Sequence, residues 1–470
     1  MFNHLVLNRR EPLGLRAKLL SLALLVVLPA LIYWGVWKFA RVSADTEGYL
    51  VNTKNIADLR FPTNPHRVPL ALFPALLTGV TTLDSDARLL LLLHLLMHGV
   101  VVLVVLYVIR DLGLPTIAAV GAAVVLWLPP YTDHCGYILT ESPAELLLSL
   151  GFLGCYLFLR EDGSCVNHRK DRTGNFPVWI AGICCSLVAL VRPTFMLLSP
   201  VTLLFCLAVL HVRRKSISRR GERLRMTVAF LVPFTVLVLG WSFSNYVRFG
   251  WFGLSTMQGG NLCTKTAPVL ERIPDSDAEV RELLIKYRDR SLVARGSSHT
   301  GMMYIWTAEP ELRKLTGMGI GEQCSYLTRL QVRLMLSSPI HYLLSVAQAC
   351  VSYWFPAVTK LSFGNSGLLK VVWSLIEFAA SALFLLIPAI IALQLAFAGR
   401  LAFSLDKVPA FRRMFFLSLI WQIYCCAVSS AVSIGRATYR VPMNFLLVFA
   451  VVLVLSAGAE AWVVREKSSD

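Results

Sequence analysis

The chain has 470 residues, 56% hydrophobic and 16% charged, with a mean hydropathy of +0.63 and a net charge of +17. Soluble domains carry about a quarter charged residues and cannot expose this much apolar surface, which excludes a soluble enzyme, a disordered tail and a secreted disulfide scaffold. The apolar residues fall in blocks of roughly 20, the length that crosses a ~30 Å hydrocarbon core, so the composition predicts an all-α polytopic membrane protein.

The positive charge is explained by topology. Clusters such as Arg213, Arg214, Lys215, Arg219, Arg220, Arg223 and Arg225 sit in short loops between apolar runs, as the positive-inside bias expects. No nucleic-acid partner is therefore expected. The 11 cysteines form no CxxC pair and no zinc-type His/Cys spacing. Cys184–Cys185 and Cys425–Cys426 lie inside apolar runs as small hydrophobes. Cys263 and Cys324 share one loop, which leaves a pairing between them open.

In chain order, Arg9, Arg10, Arg16 and Lys18 precede an apolar run that reaches Ala40. Residues 1–40 are expected to form a cytoplasmic N-terminus and an uncleaved first span. Residues 41–87 form a first outer loop with a Pro-rich turn, Phe61-Pro62-Thr63-Asn64-Pro65, and an apolar piece at 68–80 too short to span. Residues 88–247 hold spans two to seven, at about 88–109, 114–131, 141–160, 177–191, 194–212 and 226–247. Residues 248–366 form a large outer loop, in which Glu271–Arg290 reads as a soluble helical element capped near Asp275. Its 326–356 part reads as one amphipathic interfacial helix, because a further span there would turn Arg400, Lys407, Arg412 and Arg413 outward. Tyr353 and Trp354 suit a membrane interface. Residues 367–470 carry the last spans (367–396, 414–433, 442–463) and a cytoplasmic tail with Arg465 and Lys467. The total is about ten spans, both termini inside a cell (inner) membrane.

Charged groups inside spans mark transport paths. Span interiors here are nearly free of acids, with Glu377 the main exception, and polar groups gather at outer span ends. Ala44-Asp45-Thr46-Glu47-Gly48-Tyr49 follows span one directly. An acid at a membrane mouth is partly desolvated, which suits a general base; the competing reading of Asp45 is a helix N-cap. A second outer loop carries Asp133, His134 and Glu141, the last at a helix start where the dipole alone favours an acid. Arg192, Arg436, Arg440, His66 and Arg67 lie at outer ends against the positive-inside bias. Guanidinium groups there suit a phosphate-bearing lipid, or else snorkel or pair locally. His94 and His98 share one helical face, but with no further ligand evident along the sequence they read as packed core. Gly317-Met318-Gly319-Ile320-Gly321 lacks the context of a dinucleotide loop.

This ordered series resembles the C-type (GT-C) membrane glycosyltransferases, especially bacterial relatives of dolichyl-phosphate-mannose protein mannosyltransferases and aminoarabinose transferases. Asp45 resembles the family's catalytic acid. Arg67-Val68-Pro69 with Phe73-Pro74, Thr140-Glu141-Ser142, Asn245-Tyr246-Val247-Arg248-Phe249-Gly250 with Gly259-Gly260-Asn261-Leu262, and Tyr439-Arg440-Val441-Pro442 are similar to its later segments. Met443-Asn444 departs from the acid and proline common there. The resemblance implies a GT-C-like bundle with outer-face juxtamembrane helices and inverting transfer of a hexosyl or pentosyl group. The donor is a polyprenyl-phosphate sugar and the acceptor a lipid, glycan or protein hydroxyl or amine. Asp45 is then the base, Glu141 or Asp133 orients sugar or acceptor, and Arg192, Arg440, Arg67, Arg436 and His66 hold the donor phosphate. No cofactor is expected beyond the lipid-linked co-substrate, and a divalent metal is left open. The alternatives are a lipid-linked glycan polymerase or ligase, and a lipid or sugar transporter, although no inverted repeat is seen.

Overall fold

The computed structural model describes residues 26–36, 40–43, 45–160, 176–212, 220–295, 301–354, 409–433 and 437–469, with isolated residues between 371 and 386. These residues are mostly helical, and among them the only β pairing is a single bridge between Arg41 and Tyr137.

The helices are α1 (Leu28–Val36), α2 (Thr46–Ala57), α3 (Phe73–Thr78), α4 (Arg88–Asp111), α5 (Thr116–Leu126), α6 (Glu141–Leu159), α7 (Phe176–Val191) and α8 (Leu198–Val212). They are followed by α9 (Arg220–Pro233), α10 (Gly240–Phe249), α11 (Met257–Thr266), α12 (Ala278–Arg295), α13 (Ile305–Thr316), α14 (Ile320–Ser337), α15 (Pro339–Trp354), α16 (Pro409–Val432) and α17 (Asn444–Ser469). A π-helical stretch, Phe234–Leu239, joins α9 to α10 just after Pro233, where the missing proline N–H loosens the regular ladder.

Among the described residues, five helices are long and apolar enough to cross a membrane: Arg88–Asp111, Glu141–Leu159, Pro193–His211, Gly221–Phe249 and Ala410–Val432. Thr116–Leu126, Phe176–Val191 and Val441–Ser456 are shorter and equally apolar. These eight segments fall on eight of the ten expected spans. Of the other two, the first is described only from Val26, and 367–396 lies outside the continuously described residues. The third span is cut short at Leu126, because Pro129 and Pro130 end its helix. Large apolar side chains such as Leu204, Val236, Leu239 and Phe243 face outward, the pattern of a bundle solvated by lipid.

The bundle packs α6 against α4 and α7, α7 against α9, and α17 against α5 and α16. At the α7–α9 crossing, a Cβ on Gly182 would lie 1.9 Å from the Ala229 carbonyl oxygen. Only glycine permits that approach, which is how lipid-embedded helices gain packing. Phe152 stacks edge-on with Trp421, Phe445 and Phe449 at the centre.

Residues 257–337 fold around a second core that includes Cys263, Leu270, Leu284, Tyr304, Ile305, Leu312 and Leu330. The expected helical element after Asp275 is present as a short 3-10 turn, Asp275–Asp277, leading into α12. Two expectations are corrected here, and the open question of a cysteine pairing is decided. The 326–356 segment is not one helix: α14 and α15 meet at a 105° bend, since Pro339 disfavours helical geometry at Ser338, whose φ is −140°. Tyr353 and Trp354 are buried rather than interfacial, and the Tyr353 hydroxyl is bonded to Gln422. Cys263 and Cys324 are both free thiols.

Candidate active site

The first loop is drawn onto the bundle by hydrogen bonds that begin at Arg41. Its amide donates to the Gly136 carbonyl, and the Ile138 amide donates to the Arg41 carbonyl. The Thr46 hydroxyl donates to the Ile138 carbonyl as well. These bonds fix the start of α2 beside the loop that leads into α6.

Asp45 occupies the N-cap position of α2 but makes no side-chain capping bond. Its carboxylate instead accepts a 2.7 Å bond from Arg67. The cap reading is therefore not what this side chain does. Nor is it desolvated, since it is 53% exposed while Arg67 is 12% exposed.

Arg67 lies over the ring of Tyr49, 4.6 Å from its centroid, one turn of α2 beyond Asp45. It reaches this position across Gly48, where a Cβ would stand 3.0 Å from its Nε. The Pro-rich turn is held by Asn52, whose amide nitrogen donates to the Asn64 and Arg67 carbonyls and whose Oδ1 accepts from the Asn64 amide. Sequence alone does not connect a buried asparagine on α2 with that turn.

A second ion pair joins Arg192, in the turn after α7, to Glu141 at the start of α6, at 2.9 Å. Both are nearly enclosed, and the remaining oxygen of Glu141, Oε2, is buried with no hydrogen-bond partner among the described residues. Arg192 also faces the Tyr439 ring at 5.8 Å. The Tyr49 phenol lies in electrostatic reach of Arg67, Asp45, Arg192 and Glu141. Burial pushes its phenol above the ordinary value, and the two guanidinium groups pull against that rise. The structure thus brings Asp45, Arg67, Arg192 and Glu141 into one electrostatic neighbourhood around Tyr49.

The other expected residues are placed differently. Asp133 pairs with Arg41 at 2.7 Å, and Arg41 also lies over Tyr137. His66 links the two loops: it hydrogen-bonds Thr256 at 2.8 Å and lies 3.2 Å from Glu309, edge-on to Trp306. Arg440 is fully buried and donates to Asn444, Ser381 and the Trp354 carbonyl, so its contacts tie the end of α15 to the start of α17. Arg436 and Glu377 lie outside the described residues.

Sequence reasoning missed Tyr49, Arg41, Glu309 and Glu145. Tyr49 had a signal, lying one helical turn after Asp45. Glu145 had a stronger one, as a carboxylate four residues into a span.

No family model matches the chain, and no curated protein matches it. Among solved structures, it is similar to the archaeal oligosaccharyltransferase AglB from Archaeoglobus fulgidus in complex with an inhibitory peptide and a dolichol-phosphate. That likeness has a TM-score of 0.48 and 15% identity, over 93% of this chain and 50% of that one. The apo form of the Archaeoglobus fulgidus oligosaccharyltransferase gives 0.49 and 14%, over 95% and 52%. ArnT from Cupriavidus metallidurans bound to undecaprenyl phosphate gives 0.37 and 12%, over 88% and 77%. The chain spans about half the length of the oligosaccharyltransferase chains it matches.

Proposed function

We propose that the protein is an inverting membrane glycosyltransferase that moves a sugar from a polyprenyl-phosphate donor to an acceptor hydroxyl or amine at the outer membrane face. The observation that carries this reading is the pair of acid–guanidinium contacts, Asp45–Arg67 and Glu141–Arg192, both in electrostatic reach of Tyr49. Such a site offers carboxylates for an incoming nucleophile and planar cations for a phosphate leaving group.

The donor phosphate competes with Asp45 for Arg67, and its arrival frees the half-exposed carboxylate to act as base. The acceptor oxygen or nitrogen attacks the anomeric carbon, its proton passes to Asp45, and the bond from that carbon to the phosphate oxygen breaks. The electron pair leaves on the polyprenyl phosphate, whose charge Arg67 and Arg192 hold. Glu141 orients a sugar hydroxyl through Oε2, an acceptor without a partner among the described residues. Asp133, Arg41 and His66 position the two loops. Arg440 acts through the segment it anchors. Direct displacement at one carbon gives inversion.

The test is transfer from a panel of radiolabelled polyprenyl-phosphate sugars in membranes carrying wild type or Asp45→Asn. Label appearing in a new product with wild type alone is the expected result. Label that stays on every donor with well-folded wild type overturns the reading and favours whole-glycan transfer or transport.

A further inference from the structure

We propose that a zinc ion is bound inside the bundle by His98, His134 and Cys135, with the Glu145 carboxylate beside it as an outer-shell partner, in a site separate from the Asp45 group and independent of the proposed transfer reaction. His98 lies in the middle of α4, His134 and Cys135 lie in the 3-10 turn Asp133–Gly136, and Glu145 lies one turn into α6. The turn before α6 and α6 itself converge here on a distant part of α4, which is why His94 and His98 alone read as core.

The three side chains stand close enough together to share one metal ion. Ligands held at 2.0–2.3 Å stand roughly 3.3–3.7 Å from one another. The Glu145 Oε2 lies 2.9 Å from His98 Nδ1 and 3.1 Å from His134 Nε2. The Cys135 Sγ is 3.5 Å from His134 Nε2. Ligand atoms of His98, His134 and Cys135 all fall within 4.8 Å of one another, and all three residues are buried.

Tautomer and charge agree with this. The Nε2 of His98 lies 2.9 Å from the Leu126 carbonyl oxygen, an acceptor that requires the proton on Nε2. That leaves the Nδ1 lone pair for a metal, the outer-shell arrangement that orients metal-bound imidazoles. A cysteine thiolate and a glutamate carboxylate offset the two charges of zinc, so the filled site is neutral where a net charge is costly. The thiolate selects zinc over hard cations such as magnesium. His94 is also fully buried and lies one turn before His98 on α4. The ion pins the turn carrying Asp133 to α4 and α6.

The test uses the full chain purified in detergent, with zinc measured per chain after gel filtration and cobalt substituted for zinc. The expected result is about one zinc per chain. Cobalt should give tetrahedral ligand-field bands with a thiolate-to-cobalt charge-transfer band. Cys135→Ser should abolish the charge-transfer band, whereas Cys206→Ser, at a buried cysteine elsewhere, should leave it intact. Glu145→Gln should weaken zinc binding 10–100-fold; if Cys135→Ser does not fold, His134→Gln should alter the ligand-field bands. A folded wild type that takes up neither metal overturns the proposal. So does a cobalt spectrum unchanged by Cys135→Ser or His134→Gln.

Discussion

Arg192 and Glu141, separated by 51 positions in the chain, meet at 2.9 Å with side chains only 12% and 11% exposed. A pair this enclosed is not a surface salt bridge. Removing one partner leaves a buried charge without compensation, which costs about 3–5 kcal/mol. Arg192→Ala should therefore lower stability markedly in detergent-based unfolding, and Arg192→Ala with Glu141→Gln should recover much of the loss. Activity should stay absent in both. A single variant as stable as wild type would show the pair to be dispensable to the fold.

Asp45 gives the opposite pattern. Its ion pair with Arg67 is half open to solvent, and exposed pairs contribute about 0–1 kcal/mol. Asp45→Asn should unfold within about 1 kcal/mol of wild type, while transfer falls by roughly 10²–10⁴-fold, the ordinary size of a lost general base. Rate measurements beside thermal melts separate the two effects.

Gly48 is a steric probe of the same contact. A Cβ there meets Arg67 Nε at 3.0 Å and Asn64 Nδ2 at 3.3 Å. Gly48→Val adds two further carbons against the guanidinium and should push Arg67 off Asp45. Transfer should fall as it does in Arg67→Ala, with donor affinity weakened in both. Unchanged donor affinity in the valine variant would remove Arg67 from the phosphate role.

Acid should loosen the contact between the two loops. Burial raises the Glu309 carboxyl, but the hydrogen bonds and charges of His66 and Arg313 outweigh it and hold the group below its ordinary value. A depressed carboxylate contributes stability that is present above the unfolded value of about 4.3 and lost as pH falls through the folded one. Melting temperature should drop on acidification below about pH 4.3 in wild type and less in Glu309→Gln. Parallel profiles for the two proteins would count against this coupling.

Alkali should act in the other direction at Lys265. This side chain is buried on α11 with its Nζ donating to the Ser345 carbonyl, and burial lowers its pKa to about 8. Between about 8 and the ordinary 10.5 the unfolded chain binds the proton that the folded chain has lost, so stability rises with pH. Melts across that interval should show the rise in wild type and its absence in Lys265→Met.

The sequence by itself determined the solvent and the secondary structure of this protein. Blocks of roughly 20 apolar residues can satisfy their backbone in lipid only as helices, and eight of the expected spans are helices close to the positions read from hydropathy. It also singled out Asp45, Arg67, Glu141 and Arg192, because charges at span ends are rare enough to stand out. Pairing was another matter. Which acid meets which arginine depends on where α2, α6 and the turn after α7 come together, and no local period records that. The same limit explains His98. One helix face shows two histidines, whereas Cys135, His134 and Glu145 join it only when the turn before α6 folds against α4. The break at Ser338 and the burial of Tyr353 were likewise decided in three dimensions: an amphipathic pattern specifies that a face must be covered, and the partner that covers it is chosen by packing.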